Sequence, residues 1–524
     1  MRRESLQRGG AAFADGRLKS ANVRRGILTA FMIYPSVLVA AAMRHGPGVS
    51  PDSVGYVSVA RSFASSGKLF PYWADAPLTI WPPGFPVLLG ASIRLGLDAE
   101  SIAGGVNLLC LALTVYLSYV LGTRALRSPL LGLVVAGVVS LSVATVRVFS
   151  MLWTEPLFTV LVLLALIWCL PSAKSVKAGE GEGASFRVIL TRVVAAGALV
   201  SIATTIRFTG LNFIPVVAVA AGLLARTHGR LRTAQAALVG ACTAAAGLAF
   251  VVVRNLLLGA DALGHRNPQG VSLPQAIVDG LWGVGAFFSD EPSTNPAIVI
   301  GSVVMAFLLA GGIDGLRRRD ENLLIVATAV VIWWGSLGYS TITTDIDSIN
   351  PRLLYPIFPA MITLVIAGFR YLSVAVGAGD RSTVLQVGGA VLGLSVVALS
   401  VSLGPPLAYS WFTKGIGYNN LEVRASPLAR SLTSLPRSAR IASNRAALTY
   451  WVTGRRLIEP VDRHPLEGEA ADLSAGTYVA LFIREDGTDP LDSPRLSGID
   501  MRIVSSFRDG SLFQVISPDT TASY

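Results

Sequence analysis

Charge is what this sequence lacks most. Asp, Glu, Lys and Arg together make up 14% of its 524 residues, against about 25% in soluble globular chains, which excludes a large cytosolic enzyme of ordinary composition. Cysteine is nearly absent. Cys110, Cys169 and Cys242 all lie inside apolar segments, too far apart for a C-x-x-C centre and with no framework of disulfides to build. The four histidines, His45, His228, His265 and His464, are scattered, so no histidine-based metal cluster is visible. Acids are outnumbered too, 32 against 43 Lys and Arg, for a net charge of +11. In a soluble chain that excess would point to nucleic acid. Here the basic residues cluster between apolar runs, and no nucleic-acid partner is expected.

Apolar sequence, by contrast, is abundant: 52% of residues, with a mean hydropathy of +0.58. Such a chain has ample surface to bury, which excludes disorder. Apolar runs near the roughly 20 residues that span a bilayer recur from Ile27 to Leu403. The expected spans are 27–43, 101–123, 130–147, 155–170, 192–206, 209–225, 233–257, 296–312, 322–340, 353–371 and 384–404. They predict an all-α polytopic membrane protein of eleven helices. With a cytoplasmic N-terminus, the cytoplasmic loops up to residue 404 hold 21 Lys and Arg and the opposite loops nine. That is the positive-inside bias, and it places the C-terminus outside. Asp52, Asp75, Glu155, Asp290, Glu291, Asp345 and Asp347 all fall on the outer side. The first run ends in Ala40-Ala41-Ala42, which resembles a signal-peptidase site. The 26-residue arm before it favours a retained first helix.

The expected organisation is a cytoplasmic basic arm over 1–26, a transmembrane domain over 27–404, and an extracytoplasmic domain over 405–524. Within the second lie two outer loops, 44–98 and 258–295, the latter rich in Gly, Pro and Asp. The first outer loop is expected to carry interfacial helices: Pro82 and Pro83 fix an extended lead-in, and the run 85–96 is short for a span. The last 120 residues read as a small α/β module, with short strands near 440–443, 456–460 and 478–483. A hairpin is expected from Ile503–Phe507 and Leu512–Ile516, flanking a turn at Asp509-Gly510.

Charges at membrane depth are costly, so they are the first candidates for function. In Pro51-Asp52-Ser53-Val54-Gly55-Tyr56, Asp52 and Tyr56 share a helix face with Ala60. Asp52 also stands at a helix start, where a carboxylate caps free N–H groups. Glu155 opens a helix in Leu152-Trp153-Thr154-Glu155-Pro156-Leu157-Phe158 and has the same capping alternative. Arg207 lies in the turn Ile206-Arg207-Phe208-Thr209-Gly210, and Arg352 in Asn350-Pro351-Arg352-Leu353-Leu354-Tyr355-Pro356. For these two the alternative is snorkelling to lipid head groups. All four charges come from separate segments yet share one expected depth, the outer membrane face. Guanidinium forks bind a phosphate on a lipid tail, and a carboxylate deprotonates an acceptor hydroxyl as general base.

In chain order, the Asp-x-x-x-Tyr-x-x-x-Ala stretch, the Pro-Pro-x-x-Pro segment, Thr-Glu-Pro-Leu-Phe, the Arg-x-x-Gly turn and Pro-Arg-Leu-Leu-Tyr-Pro resemble the bacterial C-superfamily (GT-C) glycosyltransferases. Among them, the protein O-mannosyltransferases, the lipid A aminoarabinose transferase and the lipopolysaccharide-core transferases are the nearest in pattern. The resemblance covers about residues 20–400, and Ser443-Asn444-Arg445-Ala446 with Thr453-Gly454-Arg455 resembles the outer domain appended to some members. It implies a hexosyl- or pentosyltransferase of the bacterial inner membrane, drawing on a polyprenyl-phosphate-linked sugar and a cell-envelope glycan or glycolipid acceptor. Asp52 matches the family's catalytic aspartate. Arg207 and Arg352 match positions that would hold the donor phosphate, with Tyr56 and Glu155 placed to bind or orient sugar hydroxyls. Protein O-mannosyltransferases carry an Asp-Glu pair where this chain has Asp52-Ser53, a departure that speaks against a protein acceptor. No N-terminal metal-ligand cluster like that of oligosaccharyltransferases is evident, so neither a metal nor another cofactor is expected.

Two other functions compete: a surface-polysaccharide ligase or polymerase acting on a diphosphate lipid, and a transporter or flippase of lipid-linked sugars. A transporter would carry ionisable residues near mid-bilayer and internal repeats, and neither is visible here. The charge bias makes a direct prediction. Topology reporters fused at residues 180, 318 and 520 should read inside, inside and outside; an active cytoplasmic reporter at 520 would overturn the odd helix count.

Overall fold

Long apolar helices set the architecture of this chain. The computed structural model describes residues 21–171, 185–265, 268, 270–289, 295–344, 346–375, 398, 402–461, 473–483, 496 and 499–517. Among them are helices α1 (Ala21–Ala42), α2 (Pro51–Ser66), α3 (Gly84–Arg94), α4 (Ala99–Leu126), α5 (Pro129–Leu141), α6 (Val143–Phe149), α7 (Glu155–Cys169), α8 (Phe186–Ile206), α9 (Phe213–Ala225) and α10 (Arg230–Leu257). The series continues with α11 (Leu273–Gly285), α12 (Asn295–Arg318), α13 (Glu321–Thr343), α14 (Pro351–Leu354) and α15 (Phe358–Ala375). Eight of the described helices are long and apolar enough to cross a membrane, and each falls on an expected span. This is a multi-span membrane protein.

Two expected spans come out differently, and a third falls almost wholly outside the described residues. The segment 130–147 is not one straight helix but the pair α5 and α6, bent by 62°. The break falls at Ser142, whose backbone is extended, and whose hydroxyl donates to the Phe287 carbonyl at 3.0 Å. Hydroxyls that seek backbone partners in this way compete with helix continuation. The segment 155–170 is α7, whose 15 residues rise only about 22 Å. The eleventh span, 384–404, lies outside the described residues except at 398 and 402–404.

The two ends of the bundle have different chemistry. At one end Arg127 pairs with Asp320 at 3.2 Å and Arg226 with Glu321 at 2.6 Å, joining the loops after α4, α9 and α12. At the other end lie the loop 44–98 and the C-terminal domain. In that loop, α2 packs on α3, the two short helices expected there. The described part of the loop 258–295 carries a helix of its own. Ser272 caps a 13-residue helix, α11, and Asn255 ties the preceding turn to Thr79 in the first loop at 3.1 Å.

The C-terminal region forms a five-stranded sheet in the order β2-β1-β3-β5-β4, with β1 Ile441–Ser443, β2 Glu459–Pro460, β3 Tyr478–Phe482, β4 Asp500–Phe507 and β5 Gly510–Ser517. β1 runs parallel to β2 and β3, while β3, β5 and β4 are antiparallel. The expected hairpin is β4–β5, closed by the Phe507–Gly510 pair. Alternation splits the apolar residues between two faces. Ile441, Ala480 and Leu512 meet helices Pro427–Ser434 and Ala446–Thr453, whereas Ala442, Val479 and Phe513 line the other side.

This domain is docked on the first loop. Tyr450 stacks on Tyr72 at 4.9 Å, and the Leu457 N–H donates to the Tyr72 carbonyl at 2.6 Å. Asn419, fully buried, donates to the Pro47 carbonyl at 2.9 Å and the Glu100 carboxylate at 2.7 Å. Its own carbonyl accepts from Arg424 at 2.7 Å. Removing such an amide leaves buried partners unsatisfied, at about 1–3 kcal/mol. Asn419→Leu should therefore lower the thermal midpoint of the purified protein, and an unchanged midpoint would show that the contact contributes nothing.

Candidate active site

The site is built from helix starts. Ser50, with extended backbone, caps α2: its Oγ accepts from the Ser53 N–H at 3.4 Å, and the Ser53 hydroxyl accepts from the Ser50 N–H at 3.1 Å. Pro51 supplies the first helical position and Gly67, at φ +75°, the left-handed C-cap. The cap is thus Ser50 and not Asp52, which corrects the capping alternative. With both ends of a capping box in place, the Asp52 carboxylate is released for another partner. That partner is Arg352, whose Nη2 lies 2.5 Å from Asp52 Oδ2.

Arg352 in turn is positioned by Asn350, which caps α14 by accepting from the Leu353 N–H at 3.2 Å, with Pro351 following it. The guanidinium reaches two carboxylates from two other segments. Its Nη2 meets Asp52, and its Nε meets Glu155 Oε1 at 2.5 Å. Glu155 is completely buried at the first position of α7, where Pro156 follows and Thr154 makes no side-chain cap. Its carboxylate stands at the helix start, but its strong partners are side chains from other segments. Arg207, extended in the turn between α8 and α9, completes its neutralisation through Nη1 at 2.7 Å and also donates to Thr154 Oγ1 at 2.8 Å. The arginine side chains are 16% and 15% exposed for Arg207 and Arg352. Both are held inside by carboxylates, which overturns the snorkelling alternative.

Tyr56, one turn along α2 from Asp52, is buried against Trp81 (4.9 Å between centroids) and edge-on to Phe85 (5.5 Å). Trp81 lies so close over α2 that a Cβ at Gly55 would come within 2.4 Å of its ring. Burial, and after it the negative charge of Asp52, pushes the Tyr56 phenol well above its usual range. The hydroxyl stays protonated and available as a donor. Asp52, Tyr56, Glu155, Arg207 and Arg352 thus come together in one place, from four separate segments, at the end of the bundle that carries the first loop and the C-terminal domain.

Sequence reasoning missed two participants. Trp153 lies under Arg352, with the guanidinium carbon 4.2 Å from the ring centroid, and Asp347 approaches Arg352 Nη1 at 3.9 Å. Trp153 had a signal, a tryptophan two residues ahead of a charged helix start at the membrane surface. Asp347 had none beyond its presence in an acidic loop. Among the described residues no group of three or more His, Cys, Asp or Glu side chains is arranged to hold a metal ion. Cys110 and Cys169 are buried free thiols, and Cys242 is exposed and free.

The network predicts unequal costs of neutralisation. Removing one partner of a buried ion pair costs about 3–5 kcal/mol, and Glu155 serves two guanidiniums, whereas the Asp52 side chain is 32% exposed. Glu155→Gln should lower the thermal midpoint clearly more than Asp52→Asn. The reverse order would show that Asp52 is the centre of the network.

No family model matches the chain, and no curated protein matches it significantly. Solved structures do. ArnT from Cupriavidus metallidurans bound to undecaprenyl phosphate superposes with a TM-score of 0.58 at 14% identity, covering 94% of this chain and 98% of that one. The same protein in its apo state gives 0.57 at 15% identity, with the same coverage. The oligosaccharyltransferase AglB from Archaeoglobus fulgidus, with an inhibitory peptide and a dolichol-phosphate, gives 0.51 at 12% identity, covering 88% and 70%. All are C-superfamily proteins, and the chain shares their fold.

Proposed function

We propose that this protein is a membrane glycosyltransferase that moves a hexose or pentose from a polyprenyl-phosphate donor to a hydroxyl of a cell-envelope glycan or lipid. The reaction would run at the outer face of a bacterial inner membrane, with the N-terminus cytoplasmic and the C-terminal domain outside. The observation that carries this reading is Arg352 held between Asp52 and Glu155, with Arg207 beside them. It is supported by the shared fold with proteins solved with undecaprenyl phosphate and dolichol-phosphate bound.

The chemistry follows from the donors and acceptors left over. Asp52 is the most accessible carboxylate of the Asp52–Glu155–Arg207–Arg352 network, and its ion pair with Arg352 orients it. In the proposed reaction its oxygen takes the proton of the acceptor hydroxyl as that hydroxyl attacks the anomeric carbon. The bond from that carbon to the phosphate oxygen breaks, the electron pair leaves with the phosphate, and configuration inverts. A phosphate needs no protonation to depart, so one base suffices. Arg352 Nη1 is beyond hydrogen-bond range of Asp347 at 3.9 Å, and Arg207 contacts its partners through Nη1 alone among the described residues. The remaining N–H groups are the ones that would receive the phosphate. Tyr56 would orient a sugar hydroxyl, whereas Glu155, with no exposed surface, would act on the donor through the two guanidiniums it holds and not by touching the sugar; no metal or other cofactor enters this reading.

Turnover of purified protein against a panel of labelled polyprenyl-phosphate sugars is the direct test. General-base help is worth about 10²–10⁴-fold, so Asp52→Asn, which keeps the side-chain size, should lose at least about 10²-fold in kcat. Arg352→Lys cannot reproduce a guanidinium fork and should raise the donor KM several-fold. Near-wild-type turnover by a folded Asp52→Asn protein would remove Asp52 as the base and move the search to Glu155.

A further inference from the structure

Trp153 connects the two halves of the Asp52–Arg352 pair. Its ring supports the guanidinium of Arg352, 4.2 Å from centroid to carbon. Its Nε1–H donates to Ser50 Oγ at 2.8 Å, the same oxygen that caps α2. The backbone locks the two segments together beside this contact. The Gly48 N–H donates to the Ser150 carbonyl at 2.7 Å, and the Leu152 N–H donates to the Gly48 carbonyl at 2.8 Å. One indole therefore fixes the plane of the guanidinium and, through Ser50, the start of the helix two residues from Asp52.

We infer that Trp153 and Ser50 form a positioning latch that sets the orientation of the Asp52 carboxylate toward the acceptor hydroxyl. This rests on the general-base reading of Asp52. Both contacts of the latch are directional. A cation over an indole face is held against sliding by the ring quadrupole, and the N–H···O bond sets the rotation of the ring about its own axis. Without the latch, Arg352 keeps its carboxylate partners but loses the surface that fixes its plane, and Asp52 follows it. Displacement by about 1 Å of a group that must meet a reacting atom can cost on the order of 10²-fold in rate. Donor binding draws on the Nη1 of the same guanidinium as well as on Arg207, so it weakens too, but only in part because the guanidinium itself remains.

Two mild variants separate the contacts. Trp153→Phe keeps an aromatic face under Arg352 and loses the N–H, while Ser50→Ala loses the acceptor. Each should lower kcat by about 3- to 30-fold, a fraction of the full misplacement cost, and raise the donor KM by less than Arg352→Lys does, because the guanidinium fork is kept. The double variant should lose less than the product of the two single losses, because both remove the same bond. Ser50→Thr, which retains the hydroxyl, should restore turnover. A readout independent of activity is the ¹⁹F resonance of 5-fluorotryptophan at position 153, assigned by its loss in Trp153→Phe. It should move in Ser50→Ala and in Arg352→Lys. An active wild type with additive single variants, or a resonance that stays in place, overturns the latch. An inactive wild type whose resonance moves overturns the function and leaves the contact standing.

Discussion

The arrangement depends on one buried carboxylate that cannot stay charged alone. Glu155 has no exposed surface, and an isolated ionised group in such a place costs far more than a fold of marginal stability can bear. Two guanidiniums answer it, Arg352 from the start of α14 and Arg207 from the turn between α8 and α9. Arg352 then carries an unspent edge, and Asp52 from the first loop takes it. Each partner satisfies the previous one and leaves something over for the next. Four segments that are far apart in the chain are compelled to meet at one point near one end of the bundle.

That point is held from every side. The N-terminus of α2 is set by the Ser50–Ser53 box and by Trp153, its flank by Trp81 and α3, and its outer surface by helix Ala446–Thr453 of the C-terminal domain. The domain is not a free appendage. Tyr450 on Tyr72, and Asn419 between Pro47 and Glu100, fasten it to the loop that carries Asp52. On the proposed function this is the geometry of a surface reaction. A lipid-borne donor and a bulky acceptor meet at a rigid carboxylate, with binding carried by groups that do not themselves need to move.

The charge balance of the site fits the same chemistry. Asp52 and Glu155 neutralise Arg207 and Arg352 pairwise, which makes the resting network stable without a bound anion. The N–H groups that remain unpaired among the described residues are directional donors. Donors of that kind discriminate by geometry more than by net attraction, as planar forks do with phosphate oxygens. Tyr56, kept protonated by burial and by the neighbouring Asp52, adds a neutral donor one turn away.

Much of this was legible in the chain itself, because it rests on local properties. Apolar run length predicts where helices cross, and each of the eight long helices falls on an expected span. The strands near 441, 478 and 512 were readable from alternation and turn residues. Asp52, Glu155, Arg207 and Arg352 stood out because charge is expensive at a membrane, so each had to have a reason to be there, and Tyr56 because it shares a helix face with Asp52. Which reason was not legible. Ser50 and Asp52 are both good N-caps two residues apart, and only the folded backbone decides that Ser50 does the capping and Asp52 is released. The break at Ser142 depends on a carbonyl 145 residues away, and the role of Asn419 on a loop 372 residues away. Trp153 reads as an ordinary interfacial aromatic until Arg352 lies on its face. Composition and periodicity determine what each segment is, since those are sums over neighbours in sequence. Partners are decided by tertiary structure, since a hydrogen bond or an ion pair is a property of two groups that only folding brings within 3 Å.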